Sequence, residues 1–140
     1  MKISFEDFIT TLKLERVTLI SLDVKKRGEY PSGVKVGIRE KLREKHVILP
    51  ENRFGIDICY KLEGYAHQDE VESKIFTIDL VYRLTYQTDY PGGITPKNLK
   101  LIKCKTAKLN IWPFIRHTVL DLTSEMGLPP VMIRLMSSVK

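Results

Sequence analysis

The side chains in this sequence best equipped for metal or nucleophilic chemistry are three histidines, His46, His67 and His117, and two cysteines, Cys59 and Cys104. Their spacing gathers none of them into a site. His117 and Asp121 stand four residues apart and would meet on one helix face, where such a pair supports the helix. The cysteines lack CxxC spacing, and a scattered pair in a cytosolic chain packs rather than bridges. Asp57 and Asp79 sit in alternating stretches, each expected beside a basic cross-strand partner rather than a second carboxylate. No GxGxxG, P-loop, HExxH or nucleophile elbow occurs. Neither metal nor cofactor is expected, and the chain reads as a non-enzyme.

What the sequence holds in surplus is aromatic surface suited to non-covalent binding. Tyr60, Phe76, Tyr82, Tyr86 and Trp112 are the candidate contacts. Most aromatics on alternating strands finish in a core. Apolar surface left open between subunits, however, holds extended, non-native chains through main-chain pairing and side-chain pockets, with no fixed partner sequence.

The elements that must position these residues are legible from periodicity. Ile56, Ile58, Tyr60 and Leu62 alternate with polar residues, and so do Phe76, Ile78, Leu80, Tyr82, Leu84 and Tyr86, which predicts two half-buried strands. Pairing them so that Asp57 faces Arg83 and Lys61 faces Asp79 sets Ile58 against Tyr82 and Tyr60 against Leu80. A two-residue slip would set Glu63 against Asp79, so charge selects the register. Leu14 to Val24 alternates imperfectly, as a strand partly covered on both faces does, and Val34, Val36 and Ile38 open another after the turn Tyr30-Pro31-Ser32-Gly33. A short helix capped by Ser4, with Phe5, Phe8, Ile9 and Leu12 on one side, is expected at the N-terminus.

After Tyr90-Pro91-Gly92-Gly93, Thr95 is placed to cap a helical stretch opening at Pro96, with Leu99, Ile102 and Ala107 inward. Asn110 is placed to cap a second, longer helix with Pro113 in its first turn, where a missing N–H breaks no helical bond. Ile111, Ile115, Val119, Leu122 and Met126 form its apolar stripe; Trp112, Phe114 and Leu120 point away from the stripe's centre. Gly127 takes the left-handed residue of the helix stop, and Pro129 and Pro130 forbid continuation. The fold class is therefore α+β: a four-stranded antiparallel sheet followed by a long helix packed on one face, in a single domain spanning 1–140.

The run Trp112-Pro113-Phe114 with Arg116 opening a long helix, and its Gly127-Leu128-Pro129 exit, resembles the SecB family of chaperones. That resemblance implies a holdase for unfolded polypeptides, built as a dimer or dimer of dimers with long helices between two sheets, in protein export or in protection of the antitoxin of a toxin–antitoxin system. Phe114, Leu120, Ile115 and Val119 are then the candidate oligomer interface. The family's export members are acidic and dock the SecA motor through that acidic surface. This chain is basic, so the expectation is a chaperone core without that docking.

Net charge is +6 and the pI is near 9.3. Lys97, Lys100, Lys103, Lys105 and Lys108 form a run with no acid between Pro96 and Asp121, which makes a basic nucleic-acid-binding module the alternative function. A purely structural subunit is a third. No apolar run approaches the roughly 20 residues of a membrane span, and the N-terminal stretch carries acids and lacks a continuous apolar core, so a cytoplasmic protein is expected.

Overall fold

The computed structural model describes residues 9, 11–29, 36–89, 94–128 and 131. Four long strands, β1 (Leu12–Lys26), β2 (Val36–Leu49), β3 (Arg53–Gln68) and β4 (Val71–Thr88), precede the helices α1 (Pro96–Leu101) and α2 (Ala107–Glu125). The strands form one antiparallel sheet in the order β1-β4-β3-β2, so β1 and β2, adjacent in sequence, occupy opposite edges.

The β3–β4 register is the one the charges select. Asp57 pairs with Arg83, Lys61 with Asp79, Ile58 with Tyr82 and Tyr60 with Leu80. The hairpin is longer than the apolar alternation alone marks out, closing on the two-residue turn Asp69-Glu70 between the paired Gln68 and Val71. Both turn residues have positive φ, 51° and 64°, the twist that two-residue hairpins require and that non-glycine residues adopt at a cost. On the inward face Gly64 pairs with Phe76, and the position is suited to glycine because a Cβ there would run into the Phe76 ring.

The imperfect alternation of β1 has a physical cause. Register shifts between Leu14 and Arg16 and between Leu19 and Ser21 insert an extra residue each time, Glu15 and Ile20, and reset the phase. Leu14, Val17, Leu19, Leu22 and Val24 consequently all pair with inward residues of β4.

One face of the sheet carries the helices. Phe54, Ile56, Ile58 and Leu62 on β3, with Ile78 and Leu84 on β4, are fully buried beneath Ile102, Ala107, Ile111, Ile115 and Val119. Each Ile, Leu, Val or Phe among them contributes about 1.5–3 kcal/mol by leaving water. Thr95 caps α1, its Oγ1 accepting from the Asn98 backbone N–H at 3.2 Å, with Pro96 in the first turn as expected.

Asn110, by contrast, caps nothing. The helix runs from α1 through a π-helical turn, Ile102–Thr106, into α2, and Pro113 sits inside α2. Packing of Ile102, Ala107 and Ile111 on the sheet keeps the chain helical through the position where capping chemistry allowed a start. The exit is as expected. Gly127 has φ of 75°, its N–H donates to the Ser124 carbonyl at 3.1 Å, and the Leu128 N–H donates to the Thr123 carbonyl at 3.0 Å. Leu12 begins β1, and the helix expected from Ser4 lies outside the described residues apart from Ile9 and Thr11. The turns at 30–33 and 90–93 and the prolines at 129 and 130 lie outside them as well.

Candidate binding surface

The five aromatics singled out by sequence are all inside the chain's own fold. Tyr60, Phe76, Tyr82, Tyr86 and Trp112 are 1–7 % exposed. Trp112, expected to point away from the helix stripe, instead meets Tyr60 edge-on at 5.8 Å between ring centroids. The Tyr82 hydroxyl shares a 2.6 Å hydrogen bond with Thr118, and the Asn110 side-chain amide donates to the Tyr86 hydroxyl at 2.7 Å. Burial pushes the Tyr86 phenol up to about 12, the Asn110 amide partly opposing it. Burial, with Glu40 nearby, raises Tyr60 as well. These rings brace helix against sheet.

The helix residues divide. Ile115 and Val119 are fully buried on the chain's own sheet. Leu120 is half-buried and Phe114 is 46 % exposed, the latter with its ring 6.2 Å from Tyr82.

Exposed apolar surface gathers where α2 stops covering the sheet. Among the described residues the helix packs chiefly on β3 and β4. Leu14, Leu19 and Leu22, inward by register, are 38–43 % exposed, and the bulged Ile20 is 48 % exposed. Leu19 pairs with Tyr82, whose ring lies 6.2 Å from that of Phe114, so the exposed residues of β1 and of the outer side of α2 flank the same tyrosine. Periodicity could have found the leucines of β1, but two bulges blurred it, and no local signal tells which strand a helix leaves uncovered.

The opposite face of the sheet is charged. Arg83 holds both carboxylate oxygens of Asp57, at 2.7 and 3.0 Å, and this contact raises the guanidinium's pKa. Glu63 accepts from the Tyr65 hydroxyl and from Lys74 at 3.0 Å, with Lys61 at 3.8 Å, and is held near a pKa of about 2. Arg39 lies over the Tyr65 ring at 4.3 Å and reaches Glu72 at 2.6 Å.

Among the described residues no group of three His, Cys, Asp or Glu side chains is arranged to hold a metal, and His117 and Asp121 form an exposed pair at 3.1 Å on α2. Both cysteines are free. No described helix is long and apolar enough to cross a membrane.

No known family profile matches this chain, and no curated protein matches it by sequence. Its fold does have a match among solved structures. The SecB-like chaperone Rv1957 of Mycobacterium tuberculosis, solved in complex with a ChAD peptide from the Rv1956 HigA1 antitoxin, superposes with a TM-score of 0.85 over 94 % of this chain and 95 % of that one, at 16 % identity. A protein of unknown function from Streptococcus agalactiae overlaps loosely, with a TM-score of 0.41 at 11 % identity over 88 % of this chain and 96 % of that one. The fold of this chain is SecB-like: four antiparallel strands and then one long C-terminal helix.

Proposed function

We propose that the protein is a non-catalytic, cytoplasmic chaperone that holds extended, non-native polypeptide, an antitoxin or an export client, on the open flank of its sheet. The observation carrying this reading is the apolar patch of Leu14, Leu19, Leu22 and Phe114, left uncovered on a fold shared with a chaperone solved with a bound antitoxin peptide. Contiguous apolar surface exposed to water is costly to keep unless a partner covers it. A strand edge beside it adds main-chain pairing, which is indifferent to client sequence. Self-association belongs to the same reading, since a second protomer covers such a flank as well as a client does.

The test is suppression of aggregation of a chemically unfolded protein at stoichiometric chaperone. Suppression by the natural chain, lost in Leu19→Asp/Leu22→Asp while the circular dichroism spectrum persists, supports the reading. No suppression by the natural chain removes it.

The nucleic-acid alternative rests on the lysines between Lys97 and Lys108. Two of them are engaged against β2: Lys103 Nζ lies 3.1 Å from His46 Nδ1, and Lys108 Nζ lies 3.5 Å from Glu44. That reading requires DNA or RNA binding whose affinity falls steeply with salt.

A further inference from the structure

The edge strand β2 has opposite charges on its two faces. Glu40 and Glu44 pair with the buried Leu62 and Ile58 and so share the helix face. Lys41, Arg43 and Lys45 pair with Lys61, Cys59 and Asp57 and so share the open face. All three cations are exposed, and among the described residues none makes an ion pair. Lys45 stands opposite Asp57, but that carboxylate is taken at both oxygens by Arg83. Lys41 stands opposite another cation, Lys61, a cross-strand arrangement that destabilises the sheet. An open hollow of about 400 Å³ crosses the open face of all four strands, with Lys41, Arg43 and Lys61 along one side and Asp23 and Asp79 along the other.

Three cations at every second residue stand about 6.7 Å apart, the period of side chains on one face of an extended polypeptide. Among the described residues β2 pairs only with β3, so its outer backbone edge is open. A second copy of β2 is a poor occupant, because like charges would meet across the new ladder. A polyanionic nucleic acid is also disfavoured: Asp57, Asp79 and Glu63 interrupt the face, and its aromatic Tyr65 already lies under Arg39.

We propose that β2 is a docking edge for an extended acidic segment of a partner protein, which adds as a fifth strand with carboxylates at alternate positions facing Lys41, Arg43 and Lys45. The three carboxylates relieve the Lys41–Lys61 repulsion, while the backbone edge supplies affinity independent of charge. Lysines along an edge repel unselected strands. Here the same charges select an acidic one. The site lies on the strand and face opposite the apolar flank, so it stands or falls separately from the chaperone reading.

The test uses fluorescent peptides of about seven residues, enough to span the three cations at two-residue spacing. One alternates Glu with Thr, one carries the same number of Glu in a contiguous block, and one matches the first with N-methyl groups on alternate edge-facing amides. Anisotropy titrations on the natural chain should show the alternating peptide binding tightest, with block and N-methylated peptides weaker by about tenfold. Lys41→Glu/Arg43→Glu should abolish binding. If that variant fails to fold, the peptide comparison on the natural chain decides alone. Equal affinity for alternating and block peptides, tighter binding of a poly-dT oligonucleotide, or no binding of the alternating peptide would each overturn the proposal. Aggregation suppression in the folded variant should be unchanged, which separates this edge from the apolar flank.

Discussion

Asp57 and Arg83 settle what a shared apolar face leaves open, choosing among hairpin registers that all bury the same rings. Their bidentate contact is partly shielded, the carboxylate side chain being 13 % exposed. A cross-strand pair of this kind contributes about 0.2–1 kcal/mol. We expect Asp57→Asn and Arg83→Gln each to lower stability in urea denaturation, with the double variant losing less than the sum of the two. A sum that is simply additive would show that the pair does not couple. Glu63 adds a pH dependence of definite sign. Tyr65 and Lys74 lower its pKa from 4.5 to about 2, so the folded state favours the carboxylate. Its contribution is fully present above about pH 4.5 and is lost as pH falls toward about 2. Glu63→Gln should therefore flatten the stability profile across that window and leave the profile near neutrality parallel to that of the natural chain. The pairing of charges was legible because oppositely charged residues mark alternation as apolar ones do. The fate of the aromatics was not, since Tyr60 and Trp112 bury each other from elements far apart in the chain, a contact without local trace.

At the scale of elements, signals written in a few adjacent residues were the ones that could be read. Thr95-Pro96 starts a helix and Gly127 ends one, because each satisfies backbone groups that have no other partner. Asn110-Ile111-Trp112-Pro113 carries equally good starting chemistry, yet the helix runs through it. Ile102 and Ala107, both fully buried, favour continuing the preceding turns over stopping to cap. The hairpin turn is the reverse case, a tight two-residue turn with no Asn-Gly or Asp-Gly to announce it. Asp69 and Glu70 both hold positive φ, and Glu is poorly suited to that region. Glu70→Gly should then stabilise the protein by about 0.5–1 kcal/mol, seen as a raised denaturation midpoint at unchanged slope. A lowered midpoint would mean that the Glu70 side chain contributes more than its backbone costs.

For the whole molecule, the sheet has more apolar surface than one helix covers; most of the surplus lies on the β1 flank, with Ile38 and Ile48 also exposed on β2. The helix stripe of Ile111, Ile115 and Val119 is occupied by β3 and β4, while Leu14, Leu19 and Leu22 on β1 and Phe114 on the far side of α2 stay open. The two edges are unequal partners for a second protomer. Self-pairing of β2 would set Lys41, Arg43 and Lys45 against their own copies, whereas the β1 flank offers leucines. We therefore expect sedimentation to give a dimer or a larger even-numbered assembly at micromolar concentration, formed through the β1 and α2 side. Phe114→Glu and Leu120→Glu should each shift it toward monomer without loss of secondary structure, because neither side chain is part of the buried core and a charge in a dry subunit contact lacks a partner. Arg43→Glu, on the opposite edge, is the matching control and should leave the mass unchanged. A natural chain that sediments as a monomer would assign the whole flank to client binding. Leu19→Asp would then abolish aggregation suppression with no change in mass, whereas in an assembled protein the two losses would appear together.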